Sequence, residues 1–220
     1  KAIDRKEDRP DRRAALEIVR QYTGSVMTDR IGEMKIRPVQ LQYEKDFRPI
    51  QPPQYPIPYH YRDRTAAHLD KLKKEGIIED VDPSEPIDCV LNTTISEKKT
   101  EGAIRMNIDA RPINVGAKHT KYHVATPQEI RHELKGSKVF SELDMVCGFH
   151  QIPLAKESQV VFQTHCGLHR MKRLFFGPKN SSGIFHHEVQ KVFQGIPNVI
   201  TIHDNVLIHA PDLERHNRAL

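Results

Sequence analysis

The stretch Val199 to Ile208, VITIHDNVLI, constrains the fold more than any other part of the sequence. Two β-branched runs flank the break His203-Asp204-Asn205, and its Asp204-Asn205 pair tolerates a positive φ, so the stretch reads as a hairpin with a tight turn. Val139 to Met145 supplies a further strand, ending close to Asp144. If that strand lies antiparallel to the hairpin, Asp144 and Asp204 converge although they are far apart along the chain.

Other segments carry equally local signals. Tyr61 to Gly76 has Ala66, Leu69 and Leu72 near helical spacing, with Gly76 as a stop. Thr126 is placed to cap a helix that begins at Pro127 and is ended by Gly136. Ser181 or Ser182 opens another helix, through Phe193. CVLNTTI and AIRMNIDA, joined by a KKTEG turn, read as a hairpin, and Val160–Thr164 with Leu168–Phe176 flank a turn at Gly167. MKIRPVQLQ, from Met34 to Gln42, alternates apolar and polar residues as a half-buried strand does. FRPIQPPQYPIPYHY cannot form helix and is expected to run extended. The charged opening reads as a linker or arm, helical only over Ala14–Val19. Strands, helices and two hairpins in this order define an α+β class with an antiparallel sheet.

Composition sets the outer bounds. The 220 residues suffice for one large domain or two smaller subdomains with a real core. No apolar run reaches the roughly 18 residues of a membrane span and no charged-then-apolar leader is seen, so neither membrane insertion nor secretion is expected. Three cysteines at wide spacing suggest no disulfide framework and fit a reducing compartment. A zinc site at His165, Cys166 and His169, or at His186, His187 and Glu188, is disfavoured because no second ligand pair stands at suitable spacing. The net charge of +5 and pI of about 9.1 favour a polyanionic partner, or equally a basic solvated surface.

Nucleotide polymerisation needs converging carboxylates, because magnesium takes hard oxygen ligands and usually one or two protein carboxylates. On the residues alone, Asp144 also reads as a surface carboxylate and Asp204 as an ordinary turn residue. Longer motifs decide between these readings. SELDMVCGFHQIPL (Ser141–Leu154) resembles the first catalytic motif of Ty3/gypsy reverse transcriptases, with its Asp at Asp144. VVFQTHCGLHRMKRLFFGPKN (Val160–Asn180) is similar to the segment that family ends in FGLKN. IHDNVLI stands where the family has YxDD, and IRMNIDARPIN resembles its fingers motif RxxxDxRxLN. The stretch before that motif, LKKEGIIED, is similar as well.

The resemblance covers about Met34 to Leu220 and implies right-hand polymerase fingers and palm. Residues 34–118 and 152–180 would be fingers, 119–151 and 181–220 palm, and 1–33 an arm, with thumb and RNase H not represented. It further implies Asp144 and Asp204 as magnesium ligands, with Asn205 completing the catalytic turn. Arg105 would grip the triphosphate of an incoming deoxynucleotide. Phe149 would exclude a ribose 2′-hydroxyl, or simply pack in the core, and Phe176 and Gly177 would lie beside the incoming base. Lys179 and Asn180 would steady that backbone, while Asp109 and Arg111 would form a structural pair. The implied partners are an RNA or DNA template with its primer, deoxynucleotide triphosphates and the rest of a Pol polyprotein, in cytoplasmic virus-like particles or the nucleus.

Several positions depart from the family. Asn205 replaces the second Asp of YxDD and Ile202 its Tyr; Phe175, Pro178 and Ser181-Ser182 are also atypical. A carboxylate charge about 4 Å from a divalent ion is worth several kcal/mol even at an effective dielectric near 20. Each ~1.4 kcal/mol is tenfold in rate, so a loss of at least about a hundredfold is expected. The sequence therefore carries two functional expectations, an impaired RNA-directed DNA polymerase and an inactive copy that still binds nucleic acid. A third, an α+β domain with a protein partner, sits poorly with the basic charge and the unbroken order of motifs.

Overall fold

A computed structural model describes residues 10–99, 102–118 and 125–220. In chain order the elements begin with α1 (Pro10–Gln21), α2 (Arg62–Lys74), β1 (Ile78–Asp80), β2 (Val90–Leu91), β3 (Thr93–Glu97) and β4 (Ile104–Ile108). There follow the short α3 (Arg111–Asn114), α4 (Pro127–Glu133), β5 (Val139–Asp144), β6 (Val160–Thr164) and β7 (Gly167–Met171). The chain closes with α5 (Ser181–Phe193), β8 (Val199–Ile202), β9 (Asn205–Ala210) and α6 (Leu213–Ala219). The described residues form two compact units, one of residues 10–30, 125–146 and 186–220, the other of 31–99, 102–118 and 147–185.

The first unit is built on an antiparallel sheet of order β5-β9-β8. Strand β5 alternates along its length, with Phe140, Glu142 and Asp144 exposed and Val139, Ser141 and Leu143 half-buried. The half-buried face carries Ser141, whose hydroxyl lies 2.9 Å from Nε2 of the fully buried His216 on α6. Helix α4 starts as its sequence dictates. The Thr126 hydroxyl accepts from the Glu129 amide, and the Glu129 carboxylate accepts from the Thr126 amide, closing a capping box. Helix α1 is longer than the expected turn at Ala14–Val19, and it packs against α6. Docking onto a neighbour stabilises a highly charged helix that propensity alone leaves marginal. The start of the charged arm lies outside the described residues.

The second unit holds a four-stranded sheet of order β1-β7-β6-β2 and the separate hairpin β3-β4. Its core gathers Leu69, Leu72, Ile77, Leu91, Ile152, Phe162 and Leu174, all 3% exposed or less. On α2 the buried stripe is Thr65, Leu69 and Leu72 rather than one through Ala66, and the Thr65 hydroxyl donates to Tyr61 O at 2.8 Å. CVLNTTI does not form one continuous strand. β2 pairs in parallel with β6 while β3 turns into the hairpin with β4, and Asn92 stands between them.

That same Asn92 organises the proline-rich segment, donating to Pro53 O at 2.7 Å and accepting from the Tyr55 amide at 3.1 Å. Gln51 does likewise with both backbone groups of Val90. Prolines lack the N–H of a ladder, so side-chain amides replace it, but the expectation of an extended segment without helix fails at its end, where Tyr59–Tyr61 form a 3₁₀ turn. Met34–Gln42 is not the strand its alternation suggests. It makes isolated backbone bonds, Met34 N to Gln151 O and Val39 N to Pro153 O, because Pro38 interrupts any ladder.

Candidate active site

In the first unit, β5 pairs with β9 so that Asp144 stands directly across from Asn205. Ile202 pairs with Asn205, which leaves His203 and Asp204 as a two-residue turn. The positive φ expected of the Asp204-Asn205 pair is carried instead by His203, at +55°, and Asn205 is the first residue of β9. Asp204 is fastened to the partner strand's end, its carbonyl accepting the Met145 amide at 3.0 Å. Register thus brings Asp144, Asp204 and Asn205 to one end of the sheet, with both carboxylates exposed and Asn205 half-buried. The Asn205 Nδ2 donates to Glu142 Oε1 at 2.5 Å, across a diagonal of the same sheet face.

The donor set suits a hard cation. Two exposed carboxylates with room for water match what magnesium takes from a protein. Among the described residues no group of three or more His, Cys, Asp or Glu side chains converges as a closed zinc site requires. His169, one of the histidines flanking Cys166, is buried with its ring nitrogens 2.8 Å from Asp80 Oδ1 and 3.0 Å from Thr164 Oγ1.

In the second unit, Phe149 is only 9% exposed and is clasped between Phe176 and Phe185, at ring-centroid distances of 4.0 and 4.6 Å. Phe176 is 65% exposed. Arg105 is exposed on β4 and lines a cavity of about 240 Å³ together with His68, Lys98, Cys147, His150 and Phe176. Both of its histidines are held below the usual imidazole range, by burial first. Burial, then His68 and Arg173, pushes His150 down to about 4, and burial with Lys98 and Lys71 lowers His68.

Gly177 has φ +124°, and a Cβ there would stand 3.1 Å from Ala110 Cβ and 3.2 Å from Ile108 O, so the residue type is imposed by close approach as well as by conformation. Asn114 fixes the segment that comes next, donating from Nδ2 to Gly177 O and accepting from the Lys179 amide, both at 2.8 Å. This residue was missed by sequence reasoning, which assigned the steadying role to Lys179 and Asn180. Its signal was the terminal Asn of IRMNIDARPIN. Among the described residues the Asn180 side chain, though buried, makes only a long contact of 3.4 Å to Gln42 O. Asp109 and Arg111 pair as expected, the guanidinium reaching both carboxylate oxygens and holding Asp109 below the usual carboxylate range.

A three-stranded antiparallel sheet with carboxylates at one end, and a separate mixed-sheet unit, are the parts of an α+β polymerase of fingers-and-palm type. The fold is shared with solved structures. The prototype foamy virus protease-reverse transcriptase superposes with a TM-score of 0.82, over 96% of this chain and 28% of that one, at 23% identity. The foamy viral enzyme in complex with double-stranded DNA gives 0.81 over 100% and 38%, at 21% identity. The sequence model of the reverse transcriptase (RNA-dependent DNA polymerase) family matches residues 96–220, more than half of the chain, which therefore belongs to that family.

Its relatives include LTR-retrotransposon polyproteins of the Ty3/gypsy type. The retrovirus-related Pol polyprotein from transposon 412 of Drosophila melanogaster is 31% identical over 78% of this chain and 14% of its own length. An uncharacterized protein of Caenorhabditis elegans, K02A2.6, is 25% identical over 89% of this chain and 15% of its own length. The chain thus spans about a seventh of these relatives. Among the described residues no helix is long and apolar enough to cross a membrane.

Proposed function

We propose that the chain performs template-directed nucleotidyl transfer, extending a primer on RNA or DNA as part of a Pol polyprotein, with a magnesium centre weakened by Asn205. The observation that carries this reading is the register of β5 on β9, which gathers Asp144 and Asp204 at one exposed sheet end. In this reading the first unit is the palm and the second the fingers. Foamy viral relatives of the same fold are seen in complex with DNA and with an RNA/DNA hybrid, which supports a template-primer duplex as partner.

Asp144 and Asp204 would hold the metal, and Asn205 contributes at most a neutral amide oxygen. When bound, magnesium supplies charge neutralisation at the triphosphate and a lowered pKa for the primer 3′-hydroxyl. The chain's own residues do the rest. Arg105, a fixed fork of donors, holds the triphosphate of the deoxynucleotide. The Phe149 ring, held in place by Phe176 and Phe185, fills the volume a ribose 2′-hydroxyl would need. Gly177, lacking a side chain, lets the backbone approach the incoming base, and Asn114 keeps that backbone in place.

Asn205 also favours a second reading, a module that holds template and primer through phosphate contacts without chemistry. Primer extension on an RNA template, with the chain supplied with a reverse transcriptase thumb, separates the two. The expected result is weak, magnesium-dependent incorporation that Asp144→Asn abolishes. Incorporation surviving Asp144→Asn refutes the metal assignment, and salt-sensitive duplex binding without incorporation in any variant establishes the second reading.

A further inference from the structure

Nucleotidyl transfer by Asp144 and Asp204 leaves the Asn205–Glu142 contact without a role. Glu142 is exposed on β5, two residues before Asp144 and on the same sheet face. Its Oε1 accepts from Asn205 Nδ2. The register explains the reach. Asp144 stands opposite Asn205 and Glu142 opposite Leu207, so Glu142 and Asn205 are diagonal neighbours on the face that carries Asp144.

Chemistry fixes the orientation of the amide. An ionised carboxylate only accepts, so the Asn205 edge that meets Glu142 must be its NH₂ and not its oxygen. An amide whose nitrogen is committed in this way keeps its carbonyl oxygen free of that carboxylate, as a hard donor on the residue across from Asp144. Glu142 does not itself converge with the two aspartates as a ligand triad, since among the described residues no three such side chains do. Its action passes through Asn205.

We propose, resting on the polymerase function proposed for the same sheet end, that Glu142 is a positioning residue matched to Asn205. It locks the amide so that Oδ1 serves the metal side, and it keeps a third carboxylate charge on the face where Asn205 has given one up. Glu142 therefore opposes any return to the two-aspartate turn. An aspartate at position 205 would set two carboxylate oxygens against each other where the structure has an N–H···O bond, and like charges on neighbouring strands are destabilising.

The test is a double-mutant cycle over N205D and E142Q, read on magnesium affinity by calorimetry and on primer extension, with the Asn205 side-chain NH₂ signals followed by ¹⁵N NMR. N205D alone is expected to raise extension only in part, and E142Q/N205D to raise it about threefold or more above N205D, with the same non-additivity in magnesium affinity. In the parent the Asn205 NH₂ protons are expected to be protected from solvent exchange by their bond to Glu142. E142A should make them solvent-like, and E142Q, whose Oε1 still accepts, should restore them. Because Glu142 is exposed, these substitutions leave the core untouched. Full recovery with N205D alone, or NH₂ signals indifferent to E142A, overturns the pairing. Failure of the polymerase reading looks different: extension is then absent in every variant, while the NMR signature and the non-additive metal affinity persist.

Discussion

Replacing Gly177 with alanine separates two costs that usually arrive together. Gly177 and Gly167 lie in the same unit and have similar backbones, φ +124° and +117°. A Cβ at Gly167 meets nothing within 4 Å, whereas at Gly177 it meets Ala110 Cβ at 3.1 Å and Ile108 O at 3.2 Å. Gly167→Ala should therefore cost only the backbone strain of an L residue at positive φ, about 1–3 kcal/mol. Gly177→Ala should cost that strain plus overpacking of about 1–3 kcal/mol, because one of the atoms met is a backbone carbonyl at the end of β4 and cannot swing away. Urea unfolding of the two variants, followed by circular dichroism, measures the difference. Equal destabilisation within about 0.5 kcal/mol, the additivity error of such comparisons, would refute the close approach of the Gly177 backbone to the β4 end.

Three further outcomes are expected. His150 is held down to about 4 in the folded chain against 6.5 unfolded. Between those values the unfolded state binds more protons, so stability is lost as pH falls from about 6.5 to 4. The loss amounts to as much as about 3 kcal/mol from this group, and His150→Gln should flatten that limb in urea titrations at stepped pH. Asn114→Ala removes both 2.8 Å bonds that hold the Gly177–Lys179 backbone and should cost about 1–3 kcal/mol by the same assay, with a raised KM for deoxynucleotide in primer extension. Thr126→Ala opens the capping box of α4 and should cost about 1 kcal/mol.

Much of the candidate site was legible because its signals are local. Thr126-Pro127 with Glu129 spells a capped helix start, and the β-branched runs around Asp204-Asn205 spell a hairpin, although its turn falls one residue earlier, at His203-Asp204. The errors arose where a partner overruled a pattern. Met34–Gln42 alternates like a strand, yet Pro38 leaves it only isolated bridges. CVLNTTI is uniform in character, but its two halves pair with different strands. The steadying of the FGPKN segment fell to Asn114, more than 60 positions earlier in the chain, because an amide with one donor and one acceptor edge can span Gly177 O and Lys179 N together.

By itself the sequence determined the α+β class, most helix and hairpin positions, the family and the identities of the candidate catalytic residues. Residue type, spacing and turn chemistry act over a few positions and are written in order along the chain. Tertiary structure alone decided that Asp144 faces Asn205 and not Asp204, that Asn114 clasps the loop after Gly177, and that Glu142 occupies the Asn205 amide. The first and last of these depend on strand register, and a one-residue slip of β9 on β5 would send every β9 side chain to the opposite face of the sheet; the Asn114 clasp depends on bringing α3 beside a segment far along the chain. Register is set by the burial of Val206, Ile208 and Ala210 against their neighbours, a choice made only when the whole unit packs.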